Sequence, residues 1–582
     1  MNLKPKSWSE LVQKLVLAFA VGSVIGFLAY RMTIGIDMSD ESYYVSFIDG
    51  WLKTGIQSSS TLGLHQTAAL LVYPFARIYT LLTGSVDGLV FFLRFIYLIM
   101  SCIAGYCFYK LVRETQEKTV ATFAGLTVIT FIPFSLPSPS YNTIGMLFMI
   151  CALSLSGVFF LRFPREQTHT QSLWPWASGS AFAWTVSVIA YPTLLIVQAF
   201  FLAGLMAICL KKIPLKTLIN YLIVCALTHA IGLTSLLATY GIGRMSDMFL
   251  FTNASLQVTG GIAAKIENVR NVFLLNPWFG LATLLSFLLG FAVKKEQRSF
   301  STNCLIVFAL FSILLLSSIT GPVLYAQSHD YVFLLAIFGV PLCTGAQWMC
   351  RRTQSPPRRL QIFGLLLTMG LFAGLVTALT ATNGLVNFAV GGSFAMALAV
   401  TLALPKGKHI ADTVLHTSML AGVAGLLLCS SFAFIYGEGR NPLTTNSQRI
   451  REGIFSGLLT TDQNALAIQK TSRLFAATTT PPGSIAVFGR FPGIYLLTPL
   501  KPMTLSTWDF AQQNGPIPAV EKLSETFYAL AAHRPDVLAV VSDPWTKPLS
   551  LTGRTLASEY TLKEKQELGA WSVELYVPRG VN

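Results

Sequence analysis

The stretch Leu15–Gly55, LVLAFAVGSVIGFLAYRMTIGIDMSDESYYVSFIDGWLKTG, sets an apolar run against a loop that carries three acids within five residues. The run over 15–34 is long enough to cross a bilayer core, which takes about 20 apolar residues. No clear small-x-small cleavage site follows it, so it reads as a retained first span rather than a signal peptide. Beyond it, Ser39 or Asp40 suits a helix N-cap, and Tyr44, Phe47, Ile48 and Trp51 follow helical spacing. The expected element is an amphipathic helix lying on the membrane surface, with Asp40 and Glu41 in its first turn. Capping and the helix dipole would account for those two acids. Asp37, beside the span end, adds a third, and the set suits a proton acceptor or a divalent-cation site.

Apolar runs of this length recur along the 582 residues, near 88–109, 119–135, 143–161, 177–191, 193–210, 217–237, 277–293, 303–320, 331–350, 360–380, 385–404 and 415–436. Only 12% of residues are charged, too few to solvate a folded surface that would also have to hide all these runs. The fold class is therefore a polytopic α-helical membrane protein of about thirteen spans. The pair 177–191 and 193–210 is separated only by Tyr191-Pro192, and a hairpin there keeps the alternation of basic loops intact.

The net charge of +15 excludes nucleic acid as a partner once its location is considered. Ends and loops assigned to the cytoplasm hold 20 Lys/Arg against 6 Asp/Glu, whereas loops on the other face hold 7 against 8. The excess is thus the positive-inside bias, with the N-terminus cytoplasmic. Lys110/Arg113/Lys118, Arg162/Arg165, Lys211/Lys212/Lys216, Lys294/Lys295/Arg298, Arg351/Arg352 and Lys406/Lys408 all fall on that side. The nine cysteines lie in or beside apolar spans and imply no disulfide framework; Cys102 and Cys107 read as packing residues.

Residues 1–436 thus form a membrane domain with two long external loops, 35–87 and 238–276, and 437–582 a different unit. In the tail, 484–489, 493–497 and 536–541 read as buried strands and 461–478 and 518–532 as helices, which predicts an external α/β domain. The second long loop carries Arg244, Asp247, Lys265, Glu267 and Arg270 and suits a lid. His229 reads as a helix-packing residue and His533 as part of a turn. Arg94 stands out because an isolated charge inside an apolar run is costly unless paired or functional.

The segment SDESYYVSFIDGWLKTG (39–55) resembles the Asp-Glu-x-x-Tyr segment in the first external loop of the GT-C superfamily, multi-pass glycosyltransferases that use polyprenyl-phosphate sugars. Members include the aminoarabinose and protein O-mannosyl transferases. Residues 65–99, AYPTLLIV (190–197), SHDYVFLLAIFGVPL (328–342) and GRFPGIYLLTPLKPMTLSTW (489–508) are similar to further family segments in the same order. The resemblance implies transfer of a sugar from a polyprenyl phosphate to a lipid, glycan or protein acceptor, on the outer face of a bacterial inner membrane, with inversion. Asp40 would be the base and Glu41 its catalytic companion, with Tyr44, Arg77, Arg94, Lys265, Arg270, His329 and Tyr331 binding substrate. Asp37 and Asp330 are candidate ligands should a divalent metal (Mg or Mn) take part. Two departures bear on that metal: Asn142 stands where many members carry a second acid, and His329-Asp330-Tyr331 where Arg-Tyr is frequent. The competing classes are a transporter or flippase, which would place ionisable groups and broken helices at mid-membrane, and a surface-polysaccharide polymerase or ligase.

Overall fold

The computed structural model describes residues 6–63, 65–163, 173–209, 215–256, 266–267, 270–271, 358–381, 384–403, 410–440, 442–478, 483–489, 491–508, 518–542, 556 and 558–579. Helices α1 (Lys6–Met32), α2 (Asp40–Thr54), α3 (Gln66–Thr83), α4 (Leu89–Arg113), α5 (Lys118–Ile129), α6 (Tyr141–Arg162), α7 (Trp174–Ala190), α8 (Leu194–Cys209) and α9 (Leu215–Leu256) open the chain. After them come α10 (Arg358–Thr380), α11 (Phe388–Ala403) and α12 (Ile410–Ala433). Among the described residues six of these helices are long and apolar enough to cross a bilayer, and α5, α8 and α11 are shorter apolar ones. The expected spans 277–293, 303–320 and 331–350 lie outside the described residues.

Lipid, being as apolar as the spans, gives them little hydrophobic reason to associate, so close packing must hold them together. Small residues supply it. A Cβ on Gly105 of α4 would sit 2.9 Å from the carbonyl oxygen of Gly125 in α5, and one on Gly391 of α11 would meet Ala373 of α10 at 2.2 Å. The outward faces stay apolar and uncovered, as at Phe19, 78% exposed, Tyr106 and Phe182. This is a multi-pass membrane protein.

The connections gather at two ends. At one, Gln13 donates to Thr119, Arg162 pairs with Glu114, and Arg113 donates to the carbonyl of Gln116. At the other, the residues after α1 meet the turn after α5, the start of α6, the α7–α8 turn, the end of α10 and the tail. The Tyr191-Pro192 hairpin is part of this second end. Trp184 and Phe201, on either side of the turn, bring their rings to 5.9 Å, whereas one continuous helix would separate them by about 25 Å.

Beyond α12 the short pairs β1 (Phe434–Ile435) with β2 (Gly439–Arg440), and β3 (Gln448–Arg449) with β4 (Leu459–Thr460), lead into the tail. Helix α13 (Asp462–Thr478) precedes β5 (Ser484–Phe488) and β6 (Lys501–Pro502), and α14 (Pro518–Ala529) precedes β7 (Val537–Ser542), β8 (Tyr560–Glu567) and β9 (Ser572–Pro578). The five-stranded sheet runs β6-β5-β7-β9-β8, with β5 parallel to β6 and β7 and β9 antiparallel to β7 and β8. Strand β5 is buried along its whole length and β7 nearly so, consistent with their unbroken apolar sequences.

Two expectations are corrected. Residues 493–497 are not a strand: Pro492–Leu497 is a 3-10 turn, entered through Pro492, whose Tyr495 hydroxyl accepts from the backbone N–H of Val487 in β5. Helix α2 exists where expected, but it does not lie on the membrane surface. Glu41 through Trp51 are all buried, because the tail covers the helix from above. Lys53 donates to the carbonyls of Tyr495 and Thr498, Ser46 donates to Thr507, and Tyr43 meets the Trp508 ring edge-on. One apolar core runs through α2, α3, the start of α4 and the tail sheet.

Single cysteines at Ser58 and Pro192 should react with an impermeant maleimide from one face of the membrane, and one at Glu117 only from the other. A Pro192→Cys protein protected from both faces would reject the hairpin.

Candidate functional site

The site is built on the four residues that follow α1. A chain leaving a helix exposes carbonyls that the helix cannot satisfy, and here Ile34 and Ile36 are buried away from water. Two arginines meet that need. Arg31, wholly buried, donates to the carbonyls of Ile34, Ser135 and Ser431, joining α1, the turn before α6 and the end of α12. The turn it grips holds Phe134 and Ser135 at positive φ, a conformation that non-glycine residues adopt only when their surroundings impose it. Arg94 of α4 donates to the carbonyls of Met32, Ile34 and Gly35, and its remaining donors reach both oxygens of Glu41, at 2.7 and 2.5 Å. All five guanidinium N–H groups are then used.

This arrangement revises two expected roles. Arg94 has no donor left for a substrate phosphate, and Glu41, fully buried in a bidentate pair, is held as a partner of Arg94. Both are structural in this geometry. The tail adds Glu438, which accepts from the backbone N–H of Ile36 at 2.6 Å and from Asn446 and Thr460. Burial pushes its carboxyl upward, against the hydrogen bonds that hold it down.

Asp37 does the capping expected of Ser39 or Asp40. Its Oδ1 accepts from the Ser39 N–H and hydroxyl, and its Oδ2 accepts from the Glu41 N–H at 2.7 Å. Ser39 itself makes no side-chain cap bond. Burial first, and the charge of Asp40 second, raise the Asp37 carboxyl to about 7 despite those bonds. Gly437, at φ 82°, lies against it, and a Cβ there would approach the carboxylate to 3.2 Å.

Asp37 and Glu41 are buried, whereas Asp40 is half-buried. Asp40 acts electrostatically on Tyr43, Tyr44 and Tyr141. Those rings continue into an aromatic wall: Tyr44–Tyr141 at 6.2 Å, His65–Tyr141 at 4.3 Å and Tyr141–Tyr191 at 4.9 Å. Asn387, at the foot of α11, donates to Asn142 of α6 at 3.3 Å. Burial lowers His65 to about 4, so it stands as a neutral donor and acceptor. Aromatic faces with amides and a neutral imidazole can hold a polyhydroxylated ring.

Of the other predicted site residues, Tyr44 joins this wall, while Arg77 projects from an exposed face of α3 that also shows Phe75, Ile78 and Leu81. Arg270 is exposed on a described helical residue. Lys265, His329, Asp330 and Tyr331 lie outside the described residues. Arg244, past the Gly241 break in α9, donates to the carbonyls of Ile56, Gln57 and Thr61, so the start of the second loop is tied to the first. His229 bonds Thr185 within the bundle, and His533 stacks on Phe527 in the turn before β7. A divalent cation takes about six oxygen ligands. Asp37 already accepts three hydrogen bonds, and no group of three His, Cys, Asp or Glu side chains forms among the described residues. These residues do not by themselves fit a metal.

Sequence reading missed Arg31, His65, Tyr141, Asn387 and Glu438. Arg31 carried the same signal as Arg94, a charge within an apolar run. The others carry none, because their importance arises from contacts between distant segments.

No family model matches the sequence, and no curated protein does. The structure is similar to an Archaeoglobus fulgidus oligosaccharyltransferase in the apo form, at 12% identity and TM-score 0.46, over 90% of this chain and 69% of that one. It is similar also to the archaeal oligosaccharyltransferase AglB from Archaeoglobus fulgidus in complex with an inhibitory peptide and a dolichol-phosphate, at 12% identity and TM-score 0.47, over 96% and 74%. A third is the Archaeoglobus fulgidus enzyme with Zn and sulfate, at 11% identity and TM-score 0.47, over 89% and 67%. At these values the likeness is one of overall shape, and nothing about activity follows from it.

Arg94→Met should cost about 3–5 kcal/mol, because it leaves Glu41 charged, buried and unpaired. Arg94→Met with Glu41→Leu should recover only part of this, since three carbonyls stay orphaned; full recovery of thermal stability in detergent would contradict that. The raised Asp37 carboxyl gives a pH signature. Between about pH 4 and 7 the folded protein keeps a proton that the unfolded chain releases. Stability from this group therefore falls as pH rises through that window and is level above it, and Asp37→Asn should flatten the slope in a thermal-denaturation series.

Proposed function

We propose that this chain is a GT-C superfamily glycosyltransferase that moves a sugar from a polyprenyl-phosphate donor to a lipid, glycan or protein acceptor. The reading places it in a bacterial inner membrane, with the site and the 437–582 domain on the periplasmic side. It rests on the Asp37–Tyr44 segment and its resemblance, and on one observation above the rest. Of three neighbouring acids, two are buried in holding the loop, and Asp40 is the one that reaches solvent, beside an aromatic and amide wall.

In this mechanism the acceptor hydroxyl or amine gives its proton to Asp40 as its oxygen or nitrogen bonds to the anomeric carbon. The bond from that carbon to the phosphate oxygen breaks on the opposite face, so the centre inverts and polyprenyl phosphate leaves. Tyr44, with Tyr141 and His65, orients the sugar. The charge growing on the phosphate needs a cation. With Arg94 committed to Glu41, that part falls to Lys265, Arg270 or His329, and Tyr331 is a further candidate for substrate binding; Arg77 is suited to lipid headgroups. With Asp37 committed to the start of α2, no step of this mechanism is assigned to a metal ion.

The test is Asp40→Asn, expressed at normal level in membranes supplied with a polyprenyl-phosphate sugar. Transfer should drop by at least about 100-fold, the usual loss for a general base. Undiminished turnover would reject Asp40 as the base.

A further inference from the structure

A second polar feature lies away from the Asp40 site. Between one face of α13 and the segment 448–453 the tail forms a groove of about 800 Å³. The helix side presents Asp462, Leu466, Gln469, Ser472 and Arg473, which recur at helical spacing. The facing segment brings Arg449 and Arg451, two residues apart and both exposed, together with Glu452.

The groove is tied to the ends of two apolar helices long enough to span a bilayer. Ile34, just past α1, forms a parallel bridge with Leu459 of β4, three residues before α13 begins. Gly88, which caps the span α4, donates to the carbonyl of Gly453 in the groove wall, and Val90 donates to that of Ile454. Helix α3, which precedes Gly88, ends with Leu81 and Leu82 exposed, 67% and 82%, an apolar surface suited to acyl chains. Leu466, in the groove itself, is also exposed. Three arginines close to span ends, with an apolar residue among them, match an amphiphile with an anionic head.

We infer that this groove binds the phosphate-bearing headgroup of an anionic phospholipid of the surrounding bilayer and so seats the tail on the membrane. Arg449, Arg451 and Arg473 take the phosphate oxygens, while Leu466 meets the glycerol backbone. The inference does not depend on the transfer reaction, and its residues are separate from Asp40.

The full-length protein, reconstituted in nanodiscs, would be irradiated with photoactivatable phosphatidylglycerol or phosphatidylcholine, and the cross-links mapped by mass spectrometry. Phosphatidylglycerol should label 448–473 well above phosphatidylcholine. Each Arg→Gln change at 449, 451 or 473 should lower that labelling roughly fivefold. All three side chains are exposed, so the triple variant should keep the wild-type melting temperature. Equal labelling by both lipids, or labelling unchanged in a folded triple variant, would overturn the inference. Complete competition by free inorganic phosphate would overturn the lipid as the occupant.

Discussion

The structure depends on the pairing of Arg94 with Glu41. An arginine within a span is tolerable only if every donor is used, and here three backbone carbonyls and one carboxylate use them all. The carbonyls belong to the residues leaving α1 and the carboxylate to the first turn of α2. One guanidinium therefore sets the path of the chain out of the membrane and the starting position of the helix that follows. Asp37 and Asp40 take their positions from that constraint, since both lie between the two anchor points. The gain is geometric more than energetic, because desolvating the two charges offsets much of their attraction.

A second consequence is the burial of α2. Once Glu41 is fixed to Arg94, the aromatic face of the helix points away from lipid and must be covered by protein. The tail covers it, with Tyr495, Thr498, Thr507 and Trp508 meeting residues 43–53. The first loop and the last domain thereby share one apolar core. Glu438 extends the joint by accepting from Ile36, in the same loop. The domain boundary at 436–437, sharp in composition, is not a boundary in packing.

The reading of spans depended on length and charge asymmetry, and both are local properties. Apolar runs report helices because the bilayer allows the backbone few alternatives. The Tyr191-Pro192 break was legible for the same reason: proline removes a donor where no water replaces it. In the tail, the uniformly buried β5 and β7 were visible as apolar runs. The segment 493–497 misled because its apolar side chains serve a 3-10 turn whose backbone partners lie elsewhere, and periodicity over five residues cannot separate the two. Strands β8 and β9 were missed, their alternation being diluted by the charged edge of β8.

Sequence alone determined that the chain crosses a membrane repeatedly, that three acids follow the first span, and that a helix starts at them. Those conclusions rest on hydropathy, spacing and capping, which act between near neighbours. How Asp37 and Glu41 are held was decided by tertiary structure. Nothing local to the loop shows that Arg94, 53 residues beyond Glu41, pairs with Glu41, or that Asp37 caps the start of α2. Burial and hydrogen-bond satisfaction are properties of the assembled space, and they set the buried Asp37 and Glu41 apart from the half-buried Asp40.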